Sequence, residues 1–178
     1  MIDLVCRRSI DRRLVVTGGD NHMKIRAYQK DDAPELWRLF YNTVHHVNCR
    51  DYSPELLDAW APLEFDFAIW QRKMDTINPV IAEMDGKIVG YTDLQADGLI
   101  DHFFCHVQYQ GQGIGRFLME HVLRLGAKRG ITHFRSEVSI TARPFYERFG
   151  FSVVTEQNVP MRGQILNNFI MEKIVLPN

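Results

Sequence analysis

The chain has 178 residues, of which 46% are hydrophobic and 24% charged, and its formal net charge is -1. This length suits one domain of the usual ~100–200 residues, and the near-zero charge argues against recruitment of nucleic acid or a membrane by a global positive field. No apolar run approaches the roughly 18 residues of a membrane span. The three cysteines are widely spaced and form no CxxC pair, which disfavours disulfides and metal clusters and fits a reducing cytoplasm.

The first 23 residues differ from the rest of the chain. They are rich in arginine, end in a Gly-Gly turn signal and lack the continuous apolar core of a secretory signal. Periodic hydrophobicity begins only after Met23. We expect residues 1–23 to be an appended arm, or sequence upstream of a native start at Met23, and residues 24–178 to form one domain.

The first half of this domain predicts one strand and then three helices. Residues 24–28 alternate as a short strand does. Asp31 or Asp32 can cap the first helix, whose apolar residues recur at helical spacing up to Val44. Ser53-Pro54-Glu55 starts a second helix that stops near Pro62, and residues 65–76 predict a third.

After Pro79 the hydrophobic period changes to that of strands. Residues 79–84 and 87–94 form a hairpin around the turn Asp85-Gly86, and residues 99–107 add a third strand to this meander. A helix, a strand, a short helix and two closing strands follow, at residues 113–130, 132–139, 142–150, 151–159 and 168–176. Residues 160–167 are predicted as a loop. This order indicates a mixed α/β domain with a strand–helix–strand crossover.

A glycine-rich motif, Gln110-x-x-Gly113-x-Gly115, lies between the third meander strand and the following helix. The first amides of a helix lack intrahelical acceptors and carry partial positive charge, so a phosphate fits there. A plain strand-to-helix turn explains the same residues equally well. The motif is not a P-loop, because no Gly-Lys-Ser/Thr follows, and its third dinucleotide-binding glycine is missing.

A second candidate is Tyr146, in the segment Ala142-x-x-Phe145-Tyr146-x-x-x-Gly150-Phe151. A phenol carries a proton at neutral pH and can act as a general acid. Taken alone, Tyr146 is better explained as a packed residue whose hydroxyl is satisfied.

Together, the glycine motif, the apolar helix, the strand and the Tyr146 segment resemble the GCN5-related N-acetyltransferases over about residues 24–175. The resemblance implies an α/β fold with a mixed central sheet, an antiparallel meander and a splayed strand pair, flanked by helices. It implies an enzyme that transfers an acyl group, most often acetyl, from acetyl-CoA to a primary amine by direct attack in a ternary complex. It requires no metal. Homodimers through the terminal strands are common in the family.

The resemblance also implies roles for single residues. The amides of residues 111–116 would hold the pyrophosphate, the backbone of residues 103–107 would pair with pantetheine as an added strand, and Tyr146 would protonate the departing thiolate. Ser139 stands where the family often has asparagine and would bind pantetheine. The implied cofactor-binding residues are Phe103, Phe104, Cys105, Val107, Gln110, Gly111, Gln112, Gly113, Ile114, Gly115, Arg116 and Ser139.

The general base stays open at the sequence level. Asp101 and His102 are the main candidates, with His106 and Glu83 as further ones; histidine has the more suitable ordinary pKa of about 6.5. Strand alternation sends Asp101, Phe103 and Cys105 to one face and His102, Phe104 and His106 to the other, so only one set is expected to face the cleft. We expect Cys105 to be a packed residue rather than a nucleophile, and His45-His46 not to chelate a metal.

The acceptor is a small-molecule or peptide amine that the sequence does not name. Its site is expected between residues 45–70 and 160–167. These contain the candidate lining residues Tyr52, Trp60, Phe65, Phe67, Trp70, Met161 and Arg162. Arg162 could hold an anion or face water. The alternative functions are a non-catalytic acyl-CoA-binding regulatory module and a nucleotide-binding domain of another kind.

Overall fold

The computed structural model describes residues 23–176, so the predicted arm, apart from Met23, lies outside the described residues. Short 3-10 turns at residues 30–32, 48–50 and 107–109 connect some of the longer elements. The strands and helices are β1 (Met23–Ala27), α1 (Ala33–His46), α2 (Pro54–Trp60), α3 (Phe67–Ile77), β2 (Val80–Met84), β3 (Lys87–Thr92), β4 (Leu99–Ile100), β5 (Phe103–Cys105), α4 (Ile114–Lys128), β6 (His133–Ser139), α5 (Arg143–Arg148), β7 (Ser152–Met161) and β8 (Gln164–Ile174).

The strands form two four-stranded sheets. The first has the order β1-β2-β3-β5 and is antiparallel throughout. The second has the order β4-β6-β8-β7, in which β4 and β6 run parallel and the other pairs antiparallel. The predicted α/β class, with a meander, a mixed sheet and flanking helices, is confirmed. No helix among the described residues has the length and apolar character needed to cross a membrane.

The third meander strand is broken, whereas the sequence predicted it as continuous over residues 99–107. Its first part, β4, pairs with Arg135 and Ser136 of β6, and its second part, β5, pairs with residues 90–92 of β3. At the break, the side chain of Asp93 accepts hydrogen bonds from the amides of Asp101 and His102. The chain therefore leaves β6 after β4, and β5 and β6 form the splayed pair.

Helices cover both faces of the first sheet. On one face, Tyr91 packs in the same core cluster as Leu36 and Leu39 of α1. On the other face, Val89 packs with Leu118 of α4. Gly90 lets α4 approach closely, because a Cβ there would lie 2.9 Å from Leu118 Cδ1. This contact places the N-terminal end of α4 beside β5.

The prediction of a loop at residues 160–167 is wrong, because β7 and β8 form a tight hairpin there. Met161 pairs with Gln164, and only Arg162 and Gly163 connect the strands, with φ of 44° and 81°. Two successive positive φ angles are typical of a type I′ hairpin turn. The Arg-Gly pair was the available signal, but the turn lacks the usual Asn or Asp before glycine. The hairpin gives Met161 and Leu166 a place in the wall of the cleft described next.

Candidate active site

A cleft of about 1160 Å³ opens where β5 and β6 diverge. Its walls come from β5, β6, α1 and the N-terminal parts of α4 and α5. Most of the predicted site residues meet here: Asp101, His102, Phe103, Phe104, Cys105, Gln110, Gly111, Gly113, Ile114, Gly115, Arg116, Ser139 and Tyr146. Two do not line it. Val107 begins the 3-10 turn after β5, and the Gln112 side chain donates to the Gln108 carbonyl at 3.4 Å.

The backbone of β5 has one edge directed at the cleft. Asp93 N donates to His102 O at 3.3 Å on the β3 side. Hydrogen-bonded pairs alternate along an antiparallel ladder, so the peptide groups of Phe103 and Cys105 point away from β3. The Cys105 carbonyl accepts the Thr43 hydroxyl at 2.9 Å and Gln110 Nε2 at 2.8 Å. The remaining groups of this edge face the gap between the splayed strands.

The glycine loop before α4 has the geometry of an anion site. Gly111 and Gly113 have φ of 76° and 87°, and a Cβ on either would meet no atom within 4 Å. The first hydrogen bond of the helix runs from Phe117 N to Gly113 O at 3.0 Å. The amides of the three residues before Phe117 therefore precede that bond, at the positive end of the helix dipole.

Gly115 serves a different purpose from the other two glycines. A Cβ there would lie 3.1 Å from the Phe145 ring, so glycine allows α4 to pack closely against α5. Arg116 in the first turn of α4 and Arg148 at the end of α5 also line the cleft. Sequence reasoning found Arg116 but missed Arg148, whose approach depends on the packing of the two helices.

Tyr146 is buried, with 3% of its surface exposed, and its hydroxyl lies 3.3 Å from Ser136 Oγ. Ser136 donates its own proton to the Ile100 carbonyl at 2.8 Å. The phenol therefore donates to Ser136. Burial raises the pKa of Tyr146 well above its ordinary value, so the phenol stays protonated at neutral pH.

Asp101 and His102 both line the cleft, so the expectation that only one face of the strand contributes is wrong. Within β5 the alternation is kept, because Phe104 packs on the α1 side and Cys105 on the α4 side, but both faces reach the cleft because it opens at the edge of the strand. Asp101 forms an ion pair with Lys73. His102 Nδ1 lies 3.1 Å from the Tyr91 hydroxyl, and burial lowers the pKa of His102 to about 4. The imidazole is therefore neutral at neutral pH.

Asp93 lies behind the site, where it binds the amides of Asp101 and His102, and sequence reasoning missed it. Only 1% of it is exposed, and burial raises the pKa of its carboxyl to about 6 against the effect of its hydrogen bonds. A single Asp after a strand gives no sequence signal that it binds the amides of residues 101 and 102. Which amides it reaches depends on the register of the meander.

The other candidate bases lie in less suitable places. Glu83 is paired with Lys24 and Arg26, which hold the pKa of its carboxyl below the ordinary value, and it does not line the cleft. His106 Nδ1 accepts the amide of Gln108 at 3.2 Å. Burial raises the pKa of the Cys105 thiol to about 12, which agrees with a packed residue rather than a nucleophile.

Ser139 ends β6 inside the cleft. Its oxygen accepts hydrogen bonds from Asn48 Nδ2 at 3.3 Å and from the Ala142 amide at 3.2 Å. Both lone pairs are thereby occupied, and the hydroxyl proton remains for a ligand.

Of the predicted acceptor-site residues, only Trp60 and Met161 line the cleft. The Tyr52 hydroxyl is held by the Asn167 carbonyl and the Ile140 amide, and Trp70 donates to the Ala33 carbonyl. Arg162 donates to the Ala59 carbonyl at 2.6 Å, at the end of α2. Val47, Asn48 and Leu166, which lie within the two expected stretches, also line the cleft, whereas Phe40, Thr43 and Asn168 line it from outside them. The apolar residues of α1 recur at the spacing of a buried helix face, and this pattern does not show that one end of the helix borders a cleft.

The adjacent histidines of α1 bind backbone carbonyls. His45 Nε2 lies 2.9 Å from the Ala61 carbonyl oxygen, and His46 Nδ1 lies 3.0 Å from that of Asn42. Within residues 23–176, no three or more His, Cys, Asp or Glu side chains are grouped as metal ligands.

Comparisons with known proteins agree with this geometry. Residues 48–173 match the family model described as "Acetyltransferase (GNAT) domain". The uncharacterised N-acetyltransferase YafP of Escherichia coli is 30% identical over 151 residues, covering 85% of this chain and 95% of YafP. The chain therefore belongs to the GNAT acetyltransferase family and is an acetyltransferase.

Solved structures show the same fold. A GCN5-related N-acetyltransferase from Rhodopseudomonas palustris is 26% identical and superimposes with a TM-score of 0.81, covering 85% of this chain and 95% of that one. YncA, a putative acetyltransferase of Salmonella typhimurium solved with its cofactor acetyl-CoA, is 16% identical with a TM-score of 0.63, covering 88% and 95%. The predicted family is thus confirmed.

Proposed function

We propose that this enzyme transfers an acetyl group from acetyl-CoA to a primary amine by direct attack in a ternary complex. One observation carries the proposal. The open edge of β5, the glycine loop of α4 and the buried, protonated Tyr146 all border the same cleft. Acetyl-CoA needs these three features: a strand-like edge for its pantetheine arm, an anion site for its phosphates and a proton donor for its thioester sulfur.

The donor half of the site follows from this arrangement. The amides of Gly111 to Arg116 bind the pyrophosphate, and Arg116 and Arg148 supply positive charge. The free peptide groups of β5 pair with the pantetheine amides as a neighbouring strand would. Ser139 donates its unused proton to the same arm. These assignments are supported by the directions of the groups, and by the binding of acetyl-CoA to YncA.

Tyr146 acts as the general acid. The amine nitrogen attacks the thioester carbonyl carbon and loses one proton to the base. The carbon–sulfur bond breaks, the sulfur takes the phenolic proton, and the phenolate regains a proton from solvent after the products leave. Burial raises the pKa of Tyr146, so the phenol holds its proton at neutral pH and can give it to the departing thiolate.

His102 and Asp101 both stay candidates for the base. His102 is neutral at neutral pH and can accept a proton, although burial makes it a weak base. Asp101 is more exposed, and its carboxylate forms an ion pair with Lys73. The acceptor is a small-molecule or peptide amine that enters between Trp60, Met161 and Leu166. Three further statements remain predictions: that residues 1–23 form an appended arm, that the protein is cytoplasmic, and that it forms a homodimer.

The test measures free thiol released from acetyl-CoA by the purified full chain, with a panel of amino acids, polyamines and lysine peptides. Calorimetry with CoA, NAD and ATP defines the cofactor. We expect binding of CoA alone among the three, and thiol release with at least one amine. Tight CoA binding without thiol release from any amine contradicts the proposal and favours a non-catalytic acyl-CoA-binding module.

A further inference from the structure

We propose that Asp93 is a positioning residue that keeps the pantetheine-binding edge of β5 open. The proposal rests on the proposed function, because it concerns the same cofactor site. Asp93 itself does not line the cleft. It acts through the two residues that join β4 to β5.

One carboxylate oxygen of Asp93 binds two consecutive amides. Asp93 Oδ1 accepts the amide of Asp101 at 3.0 Å and that of His102 at 2.7 Å. The His102 carbonyl accepts the Asp93 amide at 3.3 Å and the Thr92 hydroxyl at 2.9 Å. The polar groups of this peptide segment are therefore held from the β3 side.

Without the carboxylate, these amides would need other acceptors. The His102 amide lies on the β3 side, but the Asp101 amide directly follows β4, which already pairs with β6 at Leu99 and Ile100, so it could continue that ladder. Extending that parallel ladder past Ile100 would draw β5 toward β6 and close the gap that pantetheine needs. A buried carboxylate is costly, and Asp93 is nearly inaccessible. Its hydrogen bonds to the two amides, with a third from Gln95 Nε2, give a physical reason for placing a charge there.

On the β6 side of the break, Ser136 holds the end of β4. Ile100, the last residue of β4, accepts a hydrogen bond from Ser136, which also receives the Tyr146 hydroxyl. Asp93 thus sets where the strand turns away, and Ser136 sets how far the ladder runs. A shift at Asp93 would move the β5 edge relative to Tyr146.

The experiment separates the two halves of coenzyme A. Calorimetry measures the dissociation constants of CoA and of 3′-phosphoadenosine 5′-diphosphate, which lacks pantetheine. The dissociation constant of the nucleotide divided by that of CoA reports the pantetheine contribution. We expect Asp93→Ala and Asp93→Glu to reduce this ratio at least tenfold, because alanine removes the acceptor oxygen and glutamate displaces it. Binding of the nucleotide should change less than threefold.

Asp93→Asn should keep a ratio within threefold of the wild type, because its amide oxygen can still accept both backbone amides. Met84→Ala, in a buried position at the far end of β2, serves as a control for lost stability. If Asp93→Ala fails to fold, the proposal is tested by comparing the ratios of the Asp93→Glu and Asp93→Asn variants.

Two results overturn the proposal: an unchanged ratio in the folded alanine or glutamate variant, or an asparagine variant as impaired as the others. Failure of the wild-type protein to bind CoA would instead reject the proposed function.

Discussion

The hydroxyl groups of Tyr146 and Ser136 share a buried hydrogen bond of 3.3 Å. Because Ser136 gives its own proton to the Ile100 carbonyl, the bond has a defined direction, from phenol to serine. The phenolic proton is therefore oriented but not committed to a strong acceptor. This is a suitable resting state for a group that must deliver a proton once per turnover.

Replacing Tyr146 by phenylalanine should slow chemistry without weakening cofactor binding. We expect kcat to fall by about 10²–10⁴-fold, the usual contribution of a general acid, while the KM for acetyl-CoA changes little. Steady-state thiol release with the best amine of the panel measures both constants. A matched control is Tyr28→Phe, which removes another phenol, one bound to Asp75 and away from the cleft. Equal losses of kcat in the two variants would exclude a specific role for Tyr146.

The glycine loop allows a second matched comparison. Gly113→Ala places a Cβ at φ 87° in the expected phosphate site, and Gly86→Ala places one at φ 76° in the distant β2–β3 turn. Neither Cβ would clash with another atom. Both variants should lose about 1–2 kcal/mol of unfolding free energy, measured in urea. Only Gly113→Ala should weaken CoA binding in calorimetry. Equal CoA affinity of the two variants would show that the phosphates of CoA do not bind at the glycine loop.

The sequence was most informative where local patterns decide the structure. The Asp85-Gly86 turn, the Ser53-Pro54 helix start and the amphipathic α4 follow from short-range signals, and all three are present. The glycine motif and Tyr146 were recognised because their spacing matched a family.

Long-range contacts explain what the sequence did not predict. The break at residues 101–102 depends on Asp93, which lies eight positions earlier and reaches them only across the β3–β5 ladder. Asn48 and Asn168 enter the cleft from α1's end and from β8. Their meeting with Ser139 depends on strand register, which a single sequence does not reveal.

Cys105 tests the direct-attack mechanism. Its thiol is buried in the cleft and its pKa is raised to about 12, so it should form almost no thiolate at neutral pH. We expect Cys105→Ala to retain at least a third of the wild-type kcat. Intact-protein mass spectrometry after mixing with acetyl-CoA alone should show no stable gain of an acetyl group. An acetylated wild-type enzyme, absent in the alanine variant, would contradict direct attack and indicate an acyl-cysteine.

The last prediction concerns two buried groups that titrate in opposite senses. His102 has a pKa of about 4 in the folded state, below its ordinary 6.5, so its contribution to stability is present above pH 6.5 and is lost as pH falls toward 4. Asp93 has a pKa of about 6, above its ordinary 3.8. Its contribution is present below pH 3.8 and is lost as pH rises through 6. Each shift of roughly two pH units corresponds to about 3 kcal/mol.

Between about pH 4 and 6.5 these two contributions oppose each other, and single substitutions should expose them. From pH 4 to pH 7, the unfolding free energy of Asp93→Asn should rise relative to the wild type by about 3 kcal/mol, because only the histidine contribution remains. That of His102→Gln should fall relative to the wild type by a similar amount. Urea unfolding at intervals of half a pH unit measures both differences. If the curves of unfolding free energy against pH run parallel to that of the wild type, neither group has a shifted pKa. If both variants change in the same direction relative to the wild type, one of the two pKa shifts has the opposite sign.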